Sequence, residues 1–212
     1  MNKANLYSFS GTNLGTFSLP KNFDSEVNMK LLAQAVHVYE DRAHIGLAKT
    51  KTRSEVNRTK KKWYKQKGTG GARHGARSAH IFVGGGVAHG PQPLKRELTL
   101  PLKMRRKSLE VVLTLKAKDK EILVVDGISK ITKTKEAKDF LSKIVKREGR
   151  KIKRWTFILG SADREVPRFL SNLENVDTVS YKDLNVYTAF NGGTLVFSKD
   201  LFEDKKTVKK SK

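Results

Sequence analysis

Apolar residues recur at two spacings in the first fifty positions, one typical of strands and one typical of a helix. Residues 6–9 and 16–19 alternate weakly on either side of Gly11 and Gly15, which favours a β-hairpin. Asp24 or Ser25 then suits the N-cap of a helix, which we expect to end near residues 44–46. The apolar stripe of this helix has the spacing i, i+3, i+4, i+7 and consists of Leu32, Ala35, Val36 and Tyr39.

From Pro101 onward, strand patterns alternate with helix patterns. Pro101 suits the first turn of a helix. The apolar stripe of that helix consists of Leu102, Leu109, Val112 and Leu113. Apolar runs predict strands at 122–125, 155–159, 176–181 and 194–198, with helices at about 164–173 and 183–190. A further helix is capped by Thr134 and closed by Gly149, and its inward residues are Ala137, Leu141, Ile144 and Val145. The alternation predicts an α/β fold, a Rossmann-like three-layer body with a mostly parallel sheet and flanking helices.

Between residues 45 and 98 the sequence has neither the strand pattern nor the helix pattern, and it is instead rich in positive charge. Thirteen of the 44 Lys and Arg residues lie between Lys49 and Arg96, and the one acidic residue there is Glu55. The same stretch holds half of the 16 glycines and one short apolar island at 81–83. Such a segment buries too little apolar surface to offset the entropy of its own ordering. We therefore predict a body formed by 1–44 and 99–204, an extended arm at 45–98 that becomes ordered on RNA, and a basic tail at 205–212.

The charge of the chain implies a polyanionic partner. The formal net charge is +23 and the isoelectric point is about 10.2. Trp63 and Tyr64 lie among the lysines, and rings beside cations suit stacking on bases next to phosphates, which favours RNA. The predicted RNA-contacting residues are Lys49, Lys51, Arg53, Arg58, Lys60, Lys61, Lys62, Trp63, Tyr64, Lys65, Gln66, Lys67, Gly68, Thr69, Gly70, Arg73, His74, Arg77, His80, His89, Lys95, Arg96, Lys103, Arg105 and Arg106.

Several other chemistries lack their residues. With no cysteine, disulfides and thiol catalysis are excluded, and a cytoplasmic or organelle-matrix location fits. No Gly-Lys pair exists for a phosphate loop, and Arg73 stands where a dinucleotide fingerprint needs its third glycine. The five histidines lack the spacing of a metal site, and Asp126-Gly127 is better explained as a turn than as a catalytic group. We expect no catalytic residue, cofactor, metal or membrane contact. An α/β enzyme acting on RNA and a free RNA-binding regulator remain the alternatives.

Two motifs in the basic segment resemble a known family. The stretch KWYKQKGTGGARHG at 62–75, followed by IFVGGGVAHGP at 81–91, is similar to the arm of the bacterial-type ribosomal protein L-four family of the large subunit. The resemblance extends over nearly the whole chain. The sequence departs from the family pattern at Gly71, where arginine is usual, and at Lys65, where arginine is common.

The resemblance implies a structural constituent of the large ribosomal subunit that binds its rRNA and acts early in assembly. Its body would lie on the outer face of the subunit, and its arm would reach the polypeptide exit tunnel beside neighbouring ribosomal proteins. The tunnel-side tip would be Gln66, Lys67, Gly68, Thr69, Gly70 and Gly71. The protein would be located on the ribosome, in the cytoplasm or an organelle matrix, and would not be a homo-oligomer.

Overall fold

The computed structural model describes residues 2–93, 97–149, 152–161 and 163–202, which form two compact units. We call Met1–Asp41 with Leu98–Lys212 the α/β unit, and Arg42–Glu97 the basic unit. The predicted contacts Lys95 and Arg96 and the predicted tail at 205–212 lie outside the described residues.

A mixed six-stranded sheet forms the centre of the α/β unit. The strands are β1 Lys3–Ser8, β2 Asn13–Ser18, β3 Ile122–Asp126, β4 Trp155–Leu159, β5 Val176–Ser180 and β6 Thr194–Ser198. Their order in the sheet is β2-β1-β3-β6-β4-β5. The pair β1–β2 is antiparallel and forms the predicted hairpin, whereas the other neighbouring strands run parallel. The predicted strands are therefore confirmed, in a sheet that is mixed because of the hairpin.

The helices of this unit cover both faces of the sheet. They are α1 Met29–Ala43, α2 Leu102–Lys118, α3 Thr134–Glu148, α4 Val166–Leu170 and α5 Val186–Asn191. Alternate residues of β3 contact different groups of helices, because side chains along a strand point to opposite faces of the sheet. Ile122 and Val124 belong to the apolar cluster that includes residues of α1, α2 and α5. Leu123 and Val125 belong to the cluster that includes residues of α3 and α4.

The predicted N-caps of α1 and α3 are wrong, and a tertiary contact explains the one in α1. Asn28 caps α1, because its Oδ1 accepts a hydrogen bond from the backbone N–H of Leu31 at 3.1 Å. Ser25 is unavailable, since its N–H donates to Thr114 Oγ1 at 3.0 Å and its hydroxyl donates to Glu110 Oε2 at 3.3 Å. In α3, Thr134 is the first helical residue and Lys133 precedes it as the N-cap.

The predicted helices also differ in length and in buried residues. The helices α4 and α5 are shorter than predicted, and Asn185 caps α5 by accepting from the N–H of Thr188 at 2.9 Å. Leu102, assigned to the apolar stripe of α2, is 65% exposed, and Pro101 is the N-cap rather than part of the first turn. Val38 is buried on α1, at 5% exposed, whereas Val36 is only partly buried.

A buried polar contact connects β1 to the end of α3. The hydroxyl of Tyr7 donates to Glu148 Oε1 at 2.6 Å, and the side-chain amide of Asn5 donates to the same oxygen at 2.8 Å. Tyr7 is 3% exposed, and its burial, reinforced by the hydrogen bond to Glu148, raises the pKa of the phenol from 10 to about 12. The folded protein therefore favours the neutral phenol.

Replacing Tyr7 by Phe tests this contact through its dependence on pH. The ring is kept and the hydrogen bond is lost, so we expect the free energy of unfolding at neutral pH to fall by roughly 1–2 kcal/mol. Because the folded pKa is raised, the contribution of the phenol is fully present below pH 10 and is lost as pH rises through about 12. Urea unfolding should show the gap between wild type and Tyr7→Phe narrowing above about pH 10. A gap that stays constant across this range would contradict the buried neutral phenol.

Candidate nucleic-acid interface

The basic unit is built from chain segments that pair with one another. Near one end, the N–H of Thr50 donates to Pro91 O at 3.1 Å and the N–H of Val87 donates to Lys51 O at 2.9 Å. Farther along, Lys62 and Ala76 form an antiparallel bridge, and the N–H of Trp63 donates to Gly75 O at 3.0 Å. Residues 64–74, which include Gly68, Gly70 and Gly71, therefore form the loop between two paired positions.

An aromatic cluster joins the two sequence motifs of this unit. The rings of Trp63 and Phe82 meet edge to face at a centroid distance of 5.2 Å, and His74 lies 5.0 Å from Phe82. The hydroxyl of Tyr64 donates to Ala72 O. The guanidinium carbon of Arg77 lies 4.9 Å from the centre of the Trp63 ring, within range of a cation–π interaction. Contacts within this cluster explain the positions of Trp63, which follows the lysines, and of Phe82, which lies in the apolar island at 81–83.

The glycines of the second motif allow close internal packing. A Cβ on Gly85 would lie 2.0 Å from Ala79 O, and a Cβ on Gly86 would lie 2.2 Å from Arg53 N. Arg58 lies beside Gly84, and its Nη1 donates to Val83 O at 2.8 Å. Around Gly71, by contrast, no described atom lies within 4 Å of an added Cβ. Close packing inside the unit therefore explains the glycines at 84–86, whereas no internal contact explains Gly71.

The described cations between Lys49 and Arg77 fall into two groups. Four make internal contacts, and we call them the anchored cations: Lys49, Arg58, Lys62 and Arg77. Lys49 pairs with Glu55 at 3.0 Å, and the pKa of Glu55 is lowered first by a hydrogen bond from the backbone of Thr52 and then by Lys49. Lys62 Nζ donates to Gln66 Oε1 at 2.7 Å and to His74 O at 3.1 Å.

The second group points into solvent, and we call its members the open cations. Their side chains have no ion pair or hydrogen bond within the described residues, and all are exposed: Lys51, Arg53, Lys60, Lys61, Lys65, Lys67 and Arg73. An exposed charge without a protein partner is available to a phosphate at little cost in lost internal contacts. The division depends on tertiary contacts, so residue type alone does not reveal it.

The other predicted contact residues occupy varied positions. Gln66 and Thr69 are exposed in the loop, where Gly68 and Gly70 have positive φ of 83° and 68°. His80 and His89 are exposed, whereas His74 is partly buried in the aromatic cluster. In the α/β unit, α2 begins with exposed Lys103 and Arg106 and partly buried Arg105. The sequence reasoning missed the packing role of Phe82 and Arg58, for which the adjacent run of three glycines was the available signal.

The acidic groups at the strand ends have structural partners. Asp126 lies 3.7 Å from Lys199 Nζ, and Gly127 after it has a positive φ of 77°, as expected of a turn. Asp163 is 2% exposed and accepts hydrogen bonds from Ser129 Oγ at 2.5 Å and from the N–H of Gly160 at 3.0 Å. Among the described residues, no three acidic or histidine side chains are placed to hold a metal. None of the helices described is long and apolar enough to cross a membrane.

Comparison with known proteins identifies the class to which this fold and basic unit belong. The model of the ribosomal protein L4/L1 family matches residues 17–207, so the chain belongs to that family. This confirms the resemblance found in the sequence. The family is structural rather than enzymatic, which also confirms that the chain is not an enzyme.

Individual relatives support the same assignment. The chain is 41% identical over 180 residues to large ribosomal subunit protein uL4 of Hyphomonas neptunium, covering 84% of this chain and 81% of the relative. It is 37% identical over 191 residues to uL4 of Nocardia farcinica, covering 89% and 81%. It is 33% identical over 202 residues to uL4 of Natranaerobius thermophilus, covering 94% and 95%.

Substitution of Gly85 by Ala tests the internal packing of the basic unit. The added methyl group would collide with the backbone oxygen of Ala79, so the 78–86 turn must move and Phe82 with it. We expect the indole N–H resonance of Trp63 to shift in the NMR spectrum, while that of Trp155 in the core of the α/β unit stays unchanged.

Gly71→Ala is the matched control, because its methyl group meets no described atom and its φ is not positive. Equal shifts of the Trp63 resonance in both variants, or no shift in either, would contradict the contact between Gly85 and Ala79.

Proposed function

We propose that the protein is a structural constituent of the large ribosomal subunit that binds large-subunit rRNA through the basic unit. The observation that carries this proposal is the set of open cations, seven exposed positive charges that the described residues leave without a partner. Membership of the ribosomal protein L4/L1 family and the printed name of the relatives support the large subunit as the location.

The two groups of cations take different parts in binding. The open cations neutralise phosphates where rRNA segments converge and release the counterions that the phosphates hold. Arg73, which is an open cation, can bridge two phosphates with its planar guanidinium. The anchored cations instead hold the unit in shape, so that the loop at 64–74 is presented as one surface. Trp63 is 48% exposed despite its contacts, and its free edge can stack on an unpaired base.

The finer role follows from the family resemblance. We propose that residues 45–98 form the extended arm of a Rossmann-like body and that the loop reaches the polypeptide exit tunnel. The loop residues Gln66, Lys67 and Thr69, with their neighbouring glycines, would face the tunnel near other ribosomal proteins. Early participation in subunit assembly, a ribosomal location and the absence of self-association complete the proposal.

Neutralising three open cations tests the rRNA interface. In the triple variant Lys60→Gln, Lys61→Gln and Lys65→Gln, we expect the affinity for purified large-subunit rRNA to fall. We also expect the slope of log affinity against log salt concentration to decrease by about 2–3, since each phosphate contact contributes about 0.7–0.9. Affinity is measured by filter binding at several salt concentrations.

A matched control removes the same charge from the α/β unit. Lys21, Lys118 and Lys182 are exposed and dispersed, and changing all three to Gln lowers the net charge equally. We expect this control to change the slope much less than the triple variant of the basic unit. If both variants change the slope equally, binding follows net charge alone and the proposed interface is wrong.

A further inference from the structure

Strand β5 forms one edge of the sheet, and its outer side is open in the structure described. The carbonyl of Asn175 and the N–H of Tyr181 bond to β4, at 2.8 and 2.9 Å. Backbone groups of alternate residues point to opposite sides of a strand in a ladder. The N–H and C=O of Val176 and Thr178 and the N–H of Ser180 therefore point away from β4. These groups have no hydrogen-bond partner among the described residues.

The opposite edge of the sheet, β2, is irregular, whereas β5 is regular. The pairing of β1 with β2 shifts its register between Leu6 and Tyr7, and Gly15 of β2 has a positive φ of 114°. Irregularities of this kind turn an edge away from further pairing. The pairing of β5 with β4 has no shift, and the one charged side chain of β5, Asp177, is paired with Arg154 at 2.7 Å. With no bulge, proline or lysine, β5 lacks the features that usually prevent an edge from accepting another strand.

A groove with a volume of about 700 Å³ lies along this edge, between β5 and α5. Its lining includes Asp177 and Val179 of β5, Thr156 of β4, and Tyr187 and Thr188 of α5. Thr156 is 1% exposed, and its hydroxyl already donates to a backbone carbonyl at 2.8 Å. Tyr187 and Thr188 are partly exposed. A strand added beyond β5 would place alternate side chains in this groove, as in the recognition of peptides by β-strand addition.

The stretch around β5 is poor in cations. Residues 169–198 contain one cation, Lys182, and three acids, Glu174, Asp177 and Asp183, whereas 44 of all 212 residues are lysine or arginine. Glu174 precedes β5 and Asp183 follows it, and both carboxylates are exposed without an ion pair among the described residues. Phosphates would meet carboxylates here, so the edge is unsuited to nucleic acid. Charges farther away than about 8 Å are largely screened at physiological salt, so these local acids decide which partner is attracted.

We propose that β5 is a docking edge for an extended segment of another protein that carries lysine or arginine. The segment adds to the sheet as a further strand, so that its backbone bonds to Val176 and Thr178 and its cations lie beside Glu174 and Asp183. Two copies of this chain would instead bring together two stretches that each have an excess of acid, which a basic segment neutralises. This interaction goes beyond the proposed function, since it involves a protein partner and no contact with rRNA.

Titration of the free full-length protein with a synthetic strand, followed by NMR, tests this docking edge. The probe is a peptide of about nine residues that alternates valine with lysine, and the control peptide has glutamate in place of each lysine. We expect the lysine peptide to shift the backbone amide resonances of Val176, Thr178 and Ser180. The glutamate peptide should bind at least about tenfold more weakly, because it meets like charges at both ends of β5.

Thr178→Pro is the most informative variant, because it removes an outward N–H and leaves the bonds to β4 in place. Proline is tolerated at such positions of edge strands, and circular dichroism checks that the fold is kept. We expect the lysine peptide to bind at least about tenfold more weakly to this variant, whereas the matched control Thr178→Val, which keeps the N–H, should bind as the wild type does. The double variant Glu174→Gln and Asp183→Asn leaves the β5 backbone unchanged, and it should weaken binding and reduce its dependence on salt.

Several results would overturn the docking edge. They are the absence of shifts in β5 at millimolar lysine peptide, equal binding of the two peptides, and unchanged binding in both the Thr178→Pro variant and the double variant. If the β5 resonances shift with protein concentration alone, the edge takes a second copy and the assignment to a basic partner is wrong. The titration contains no RNA, so its failure leaves the proposed rRNA binding unaffected, and a failure of rRNA binding leaves this result unchanged.

Discussion

Repulsion among like charges is the constraint on which the basic unit depends. Between Lys49 and Arg96, thirteen cations accompany one acid, so the stretch carries twelve of the chain's 23 net positive charges. Two unit charges about 4 Å apart in water repel by about 1 kcal/mol, and many such pairs oppose compaction. The structure offsets this repulsion with contacts that need no acid. Arg77 lies over Trp63, Arg58 donates to a backbone carbonyl, and glycines let backbones approach closely. The seven open cations are exposed, where a polyanion can neutralise them.

In the α/β unit, by contrast, carboxylates make internal contacts. Glu148, Glu121 and Asp163 accept hydrogen bonds inside the unit, so they stabilise the packing of helices and loops against the sheet. Carboxylates with such partners are poor candidates for acid–base chemistry, which agrees with a family that is structural rather than enzymatic. One result of this arrangement is that exposed lysines and arginines are left in excess. These three carboxylates therefore serve the fold.

The sequence predicted the strands well because their signal is local. Residues 122–125, 155–159 and 194–198 are short apolar runs, and all three are buried strands. The start of α1 was missed because Ser25, a good N-cap by type, is held by Thr114 and Glu110, more than eighty residues away. For the candidate interface, composition indicated which residue types would contact RNA. It could not separate Arg58 from Lys60, because the contact of Arg58 with Val83 depends on a fold that brings distant residues together.

The most direct measurement is the number of copies that stay on purified large ribosomal subunits through a high-salt wash. Attraction between dispersed surface charges is screened at high salt, whereas an rRNA-embedded protein is also held by packing and stacking. A structural constituent held by rRNA contacts should remain at one copy per subunit after the wash. A protein that dissociates progressively as salt rises, or that is present well below one copy, would contradict the architectural role and favour a free RNA-binding regulator.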